Sequence, residues 1–445
     1  MNPRTRSLRR ALVGLTASLF VLLGTAGLAA QAYQPAGLNI TPGSDGSSLD
    51  FAWLSNGAVG KPVVQIAMAS DQKGDAFPAA KATAFTGTAS KVAATAFSTD
   101  DQTVTLDSVS NKVTVTGLVD STDYVYRVGD GKQWSMSSSV STRDPKSFGF
   151  FAVGDPQLGA KSTGPKTLDS DAAGWRTTIE KATAAFPGAS FLVSLGDQVN
   201  DYNALAAQDA EYAAYFAPAQ LRSLPVATVD GNHDFAMGEY YGYHYNLPNL
   251  STRYGISYGN DGDYWFVYGT VLFLMLNSNS ESVATHDLFI RDAVARNPGA
   301  RWRVACFHHS VFSEADHYAD PDIIDRRTNY PPVFERYKID VVLQGHDHAY
   351  TRSLPIAKGK PVDGSDPAAT TIANPTGVVY FTLNSGSGSK FYDWKDAAPE
   401  VFSAARWQGK VPSFSYISVN GNSFSVATFR TDDMSVIDTF TITKD

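Results

Sequence analysis

The sequence predicts two domains of different class, an N-terminal all-β sandwich and then an α/β domain of two packed mixed sheets flanked by helices. Three observations carry this. Residues 33–144 hold short alternating runs divided by Gly, Ser and Asp turns, with few helix signals. From Arg143-Asp-Pro-Lys146 onward, strand-like runs alternate with helical stretches. The chain is also 445 residues long, too long for one ordinary core.

Residues 1–32 precede the fold. Arg4, Arg6, Arg9 and Arg10 form a basic start, Ala11 to Ala29 an apolar stretch, and Ala30-Gln31-Ala32 a small-x-small cleavage site. That pattern predicts a signal peptide and a secreted or periplasmic protein with no stable membrane span once the signal is removed. Arg9-Arg10 also offers the doublet of a twin-arginine signal, in a weakly matching context.

In residues 33–144 the expected strands are Ser48–Leu54, Pro62–Ala69, Val92–Phe97, Thr103–Leu106, Lys112–Leu118, Asp123–Val128 and Trp134–Thr142. Leu118 precedes Tyr124 by six residues, and this stretch resembles the fibronectin type III pattern. Tyr124 would be the corner tyrosine, its hydroxyl bonding to upstream backbone. Asp120 stands where that pattern usually has proline. No His or carboxylate cluster gathers here, so the domain reads as a spacer or positioning module.

Residues 145–445 open on a strand at Phe148–Val153. A helix follows at Ala172–Phe186, with Trp175, Ile179, Ala182 and Phe186 on one face. Strands are then expected at Phe191–Leu195, Val226–Val229, Tyr264–Tyr268, Val271–Leu276, Arg303–Phe307 and Val341–Leu343, and helices at Ala204–Ala217, Thr285–Arg296 and around Pro332–Lys338. The end returns to strands at Val378–Leu383, Ser415–Val419, Ser423–Thr428 and Val436–Ile442.

Composition narrows the chemistry. Hydrophobic content is 43%, charged content 18% and the formal net charge −8. Without a basic stripe, a nucleic-acid duplex is not an expected partner. The single cysteine, Cys306, excludes an internal disulfide and lies in an apolar strand, where it reads as packing.

Five expected strands end in polar clusters. These are Gly154-Asp155-Pro-Gln157, Gly196-Asp197-Gln-Val-Asn200, Asp230-Gly-Asn232-His233-Asp234, His308-His309 and Gly345-His346-Asp-His348. In an α/β sheet the carboxyl ends of the strands form the ligand site, so the five loops should converge. Glycines before the polar residues allow sharp turns and close backbone approach. Mixed carboxylate, amide and imidazole donors suit zinc, iron or manganese better than calcium or magnesium. Six or more donors exceed the needs of one tetrahedral ion. A bridging aspartate with ligands on both sides implies two ions, roughly 3.5–4 Å apart.

The order of these motifs over residues 147–385 resembles the calcineurin-like metallophosphoesterase superfamily, especially its purple acid phosphatase branch, and the upstream sandwich matches the larger members. The resemblance implies two transition-metal ions (Fe, Zn or Mn). Asp155 and His348 would hold one. Asn232, His308 and His346 would hold the other, with Asp197 bridging. His233 and His317 would be catalytic, near the phosphate and the leaving group. Ala349-Tyr-Thr-Arg352 repeats the family's Ala-Tyr-x-Arg. There are two departures. Asn200 stands where purple members have the tyrosine that binds ferric iron, with Tyr202 two residues further on. Asp155-Pro-Gln157 replaces the usual Asp-x-His or Asp-x-Gly. Gln157, Asn200 or a water completes the first site, and His309 is a ligand or orients one.

The function these features imply is hydrolysis of a small-molecule phosphate monoester, acid phosphatase-like, by attack of metal-activated hydroxide. His233 and His317 would assist leaving-group departure. No Ser or Cys nucleophile elbow is present. A phosphodiesterase on the same metals is the nearest alternative, decided by the loops Phe235–Asn260 and Phe312–Tyr330. An inactive surface binding protein is the alternative of another class.

Overall fold

The computed structural model describes residues 33–57, 59–95, 103–104, 106–160, 168–202, 204–235, 240–257 and 261–445. The expected signal peptide therefore lies outside the described residues. So do the end of the expected strand Val92–Phe97 and parts of the loop Phe235–Asn260.

Two antiparallel four-stranded sheets face each other at the N-terminal end. One runs Ala36–Pro42, Leu49–Asn56, Ser108–Val115, Thr88–Lys91; the other runs Ser138–Ser141, Asp123–Gly129, Val63–Met68, Thr83–Thr86. Ile40, Phe51, Trp53, Val64, Val113, Tyr126 and Val128 fill the space between them. At the corner, the Val119 amide donates to the Tyr124 hydroxyl at 2.8 Å, the upstream bond expected of that tyrosine. The strand Ala36–Pro42 escaped sequence reading because Gly37 and Pro42 break its pattern. Its buried Asn39 amide is instead satisfied by the carbonyls of Gly37 and His244.

The rest is α/β. One seven-stranded sheet has the order Val226–Thr228, Leu192–Ser194, Ser147–Val153, Ser413–Asn420, Ser423–Arg430, Val436–Thr443, Thr371–Ala373. The other has the order Tyr264–Tyr268, Val271–Met275, Trp302–Cys306, Val341–Gln344, Val379–Thr382, Tyr350–Ser353, Ser403–Trp407. The strands that lead into the polar clusters run parallel within each sheet. Side-chain alternation explains the layering. Phe273, Val304, Cys306, Leu343 and Phe381 point into a core shared with the first sheet. There the Phe150 and Phe191 rings lie 5.3 Å and 5.4 Å from Phe273. Leu272, Leu274, Ala305, Val342 and Tyr380 point the other way, onto Phe289, Ile290 and Phe334 of the covering helices. Trp175, Ile179 and Ala182 of the helix Leu168–Ala185 are buried as expected, and Phe186, just past its end, stacks on Tyr416. Cys306 is wholly buried.

Two expectations need correction. The helix expected around Pro332–Lys338 spans Pro321–Arg336 and runs through Pro331 and Pro332. Pro321 fits the first turn, where an amide hydrogen has no partner to lose. The two inner prolines give up backbone bonds, but both lie in a helix that buries Ile323, Tyr330, Val333 and Phe334. The strands Tyr350–Ser353 and Ser403–Trp407 were also not expected. The first is buried throughout although it carries Thr351, Arg352 and Ser353, with Arg352 paired to Asp438 at 2.7 Å.

The sandwich is bonded to the α/β part beside one site loop. Lys112 Nζ donates to the Gly242 carbonyl at 2.7 Å, Ser110 Oγ to that of Tyr243 at 2.7 Å, and Asn39 Nδ2 to that of His244 at 2.8 Å. No described helix is long and apolar enough to cross a membrane.

Candidate metal centre

The five strand ends meet. Asp155 follows Ser147–Val153, Asp197 follows Leu192–Ser194, and Asn232 and His233 follow Val226–Thr228. His308 and His309 follow Trp302–Cys306, and His346 and His348 follow Val341–Gln344. The turns are tight. Asp155, Gln157, Asp197, His346 and His348 all have left-handed backbone, with φ of 39°, 35°, 46°, 71° and 44°. Such conformations cost on the order of 1–3 kcal/mol each and gather where geometry serves function. Gly196, at φ 86°, leaves room that a side chain would fill: a Cβ there would lie 2.5 Å from His308 Nδ1.

The donor atoms fall into two adjoining groups. His308 Nε2 lies 3.0 Å from Asn232 Oδ1, 3.1 Å from His346 Nδ1 and 3.4 Å from Asp197 Oδ1. Asp155 Oδ1 lies 3.6 Å from His348 Nε2 and 3.8 Å from His308 Nδ1. Oxygen or nitrogen ligand atoms of Asp155, Asp197 and His308 all lie within 4.8 Å of one another. The imidazoles are set as ligands by bonds behind them. His308 Nδ1 donates to the Leu195 carbonyl at 2.9 Å, and His348 Nδ1 to that of Lys390 at 3.0 Å. Because a carbonyl only accepts, each Nδ1 carries a hydrogen, and Nε2 is the atom each neutral ring would offer as a ligand, facing oxygens and nitrogens.

Such a cluster of oxygens and nitrogens calls for a positive charge among them, and without a metal the site draws a proton onto His308 instead. Burial pushes His308 down, but Asp197 and Asp155 beside it outweigh that and carry its pKa up to about 9. Burial pushes Asp155 well above the carboxylate range, partly offset by His308. Burial works against the Asp197 charge too, yet His308 and His233 hold its pKa below the usual range. His346 lies well below its ordinary value, through burial and then through His309 and His308. Burial takes His348 down to about 3, so it stays a neutral ligand. The Gln157 side-chain oxygen is buried beside this group without a hydrogen-bond partner among the described residues. Its backbone amide donates to the Asp197 carbonyl at 2.6 Å. An orphaned oxygen, two carboxylates and converging imidazole nitrogens fit metal ions.

The remaining expected residues line the approach. The His233 amide donates to Asp197 Oδ1 at 2.9 Å, and its Nδ1 donates to the Asn200 carbonyl at 2.6 Å. Asn200 thus meets His233 through its backbone. Tyr202 is 49% exposed, with its ring 5.4 Å from His233. The His317 ring lies 4.2 Å from that of His346. His309 turns to Ser278, with Nδ1 2.8 Å from the hydroxyl, and its ring is 4.8 Å from His346.

Sequence reading assigned no role to four further residues. Asp234, wholly buried, accepts from the Gln198 and Gly231 amides and from the Tyr212 hydroxyl, tying two site loops together. Asp347 accepts from the Ser313 hydroxyl and from the Ala315 and His317 amides, fixing the His317 loop to the loop of His346. Both stood inside the motifs, and their place beside the expected ligands was the available signal. Ser278 and Tyr392 come from other loops and had none.

Residues 150–350 match the calcineurin-like phosphoesterase family model. With this fold and donor set, residues 150–350 make up a calcineurin-like phosphoesterase domain. Residues 35–142 match the N-terminal domain model of purple acid phosphatases. The two matches, taken in order, are the domain layout of a purple acid phosphatase, which this chain resembles. It is 31% identical over 94 residues to an uncharacterized Mycobacterium tuberculosis protein, covering 20% of this chain and 18% of that one. It is 22% identical over 327 residues to purple acid phosphatase 23 of Arabidopsis thaliana, covering 64% of each. The matches thus span less than two thirds of these relatives' lengths. Its fold is similar to that of purple acid phosphatase PPD1 from yellow lupin seeds, with a TM-score of 0.72 at 15% identity over 93% of this chain and 75% of that one.

Proposed function

We propose that the protein is an exported dinuclear metallophosphoesterase that hydrolyses small phosphate monoesters. The observation that carries this is the pair of donor groups meeting at Asp197, with the Nε2 atoms of His308 and His348 turned toward two buried carboxylates. Asp155 and His348 would hold one ion, with Gln157 or a water completing it. Asn232, His308 and His346 would hold the other, and Asp197 would touch both. When bound, the ions supply a water of lowered pKa and draw charge from the phosphoryl oxygens. His233 presents Nε2 to the phosphoryl group, because Nδ1 is spent on Asn200. His317 serves the leaving-group side. The monoester reading is supported by the likeness to proteins named purple acid phosphatases. We also assign residues 1–32 to export, and residues 33–144 to a fibronectin type III-like domain on the strength of the Tyr124 corner.

The test is metal content by mass spectrometry together with turnover of para-nitrophenyl phosphate and its bis ester by one preparation. About two transition-metal ions per chain with monoester turnover is the expected result. Preference for the bis ester would make the protein a phosphodiesterase. A chain that neither holds zinc, iron or manganese nor turns over either ester would be a binding protein.

A further inference from the structure

We propose that Tyr392 is a catalytic residue of this site, its hydroxyl carrying the proton of His317 to the leaving oxygen. The inference rests on the phosphoesterase reading above. Tyr392 lies beyond the segment that matches the phosphoesterase family model and outside every motif in the sequence. The fold nevertheless brings its hydroxyl to 3.2 Å from His317 Nε2. The other nitrogen of that ring, Nδ1, lies 2.7 Å from Asp320 Oδ2. A carboxylate only accepts, so Nδ1 carries a hydrogen and Nε2 faces the phenol. A proton leaving Nε2 along this bond goes first to the Tyr392 oxygen. Asp320, His317 and Tyr392 therefore form a hydrogen-bonded series with the phenol at one end.

The phenol is built in. Its ring stands edge-on to His317 at 5.1 Å and to the expected metal ligand His348 at 5.0 Å. Its carbonyl accepts from Gln408 Nε2 at 2.8 Å, and the same amide donates to the His348 carbonyl at 2.8 Å. Lys390 Nζ lies 4.6 Å from the ring centroid.

The step balances. As the P–O bond breaks, the leaving oxygen takes the phenolic hydrogen. The phenolic oxygen takes the Nε2 hydrogen of the His317 imidazolium. The products are an alcohol, an unchanged tyrosine and a neutral imidazole still bonded to Asp320. A poor leaving group, such as the alkoxide of glycerol phosphate, needs that proton; para-nitrophenolate needs it little.

The experiment compares wild type, Tyr392→Phe, His317→Ala and the double variant, all full-length and metal-loaded, on glycerol phosphate and para-nitrophenyl phosphate. Tyr392→Phe should lose about 100-fold in kcat on the alkyl ester and less than about 3-fold on the aryl ester, with metal content unchanged. The double variant should be no slower than His317→Ala. Equal losses on both esters, or a double variant slower than either single one, overturns the relay. A wild type that turns over neither ester overturns the phosphoesterase reading instead. Nitrogen-15 NMR of labelled histidines in the metal-free chain tests the relay without turnover. The Nε2 resonance of His317 should shift in Tyr392→Phe, and an unmoved resonance overturns the proposal.

Discussion

The Asn200 carbonyl accepts a 2.6 Å hydrogen bond from Nδ1 of His233. Asn200 is itself held from behind, because Glu211 Oε2 accepts its amide and that of Asp201, each at 2.8 Å. The position that lacks the iron-binding tyrosine of purple members thus fixes the imidazole over the site through backbone alone.

His233 hydrogen-bonds Asp197 through its amide while its ring is bonded to the Asn200 carbonyl, so removing the ring should leave the metal in place. His233→Ala is expected to keep metal and lose about 10²–10⁴-fold in turnover. Asp197→Ala should lose metal and turnover together. Full activity in either variant would remove this site assignment; metal content and kcat on the same samples decide it.

Gly196 lies behind His308. With a Cβ 2.5 Å from Nδ1 and a φ of 86°, Gly196→Ala must push the imidazole off the Leu195 carbonyl. The expected outcome is a folded chain with weaker metal binding, by about 10-fold or more. Chelator titration followed by mass spectrometry measures it. An unchanged affinity would mean that His308 is not a ligand.

Asp234 is buried and accepts three hydrogen bonds, while burial and then the Asp197 charge push its pKa up to about 7. Asp234→Ala strands the Gln198 and Gly231 amides, at about 1–3 kcal/mol each. Denaturant unfolding should show a loss of about 3 kcal/mol or more. Asp234→Asn, which keeps one accepting oxygen, should lose less.

His286 sets an alkaline limit on stability. Nδ1 lies 2.8 Å from Asp263 Oδ2 and Nε2 lies 3.0 Å from the Ser280 carbonyl, both partners that only accept. Burial works against the imidazolium, but Asp263 outweighs it and raises the pKa. A group raised on folding contributes in full below its unfolded pKa of about 6.5 and less as pH climbs through the folded value. Thermal stability should therefore fall as pH rises from neutral. His286→Gln should be less stable by about 3–5 kcal/mol at neutral pH, because Asp263 is left buried and unpaired. It should also lose that slope, as a Tm series over pH would show.

The layering of the fold and the meeting of the five strand ends were legible because both follow from short-range patterns. The near-continuous apolar runs Val271–Met275 and Trp302–Cys306 announce strands buried on both faces, and Gly-Asp or Gly-His after an apolar run announces a turn into a site. What could not be read depends on partners distant in sequence. The helix Pro321–Arg336 crosses two prolines because its buried face holds it. Tyr350–Ser353 is a strand because Asp438 waits 86 residues on for Arg352. Tyr392 reaches His317 across 75 residues with no local signal.

The bonds from Asn39, Ser110 and Lys112 to residues 242–244 have a consequence for how such proteins can be recombined. His244 stacks on Tyr212 at 4.1 Å, and the Tyr212 hydroxyl donates to Asp234, which closes the loop bearing Asn232 and His233. The sandwich is thus the far anchor of a tether ending at the loop of Asn232 and His233. A chimera that exchanged it for a foreign module would inherit every donor atom but not the bonds that hold residues 242–244 in place. The heritable unit of this chemistry is the pair of domains, seam included.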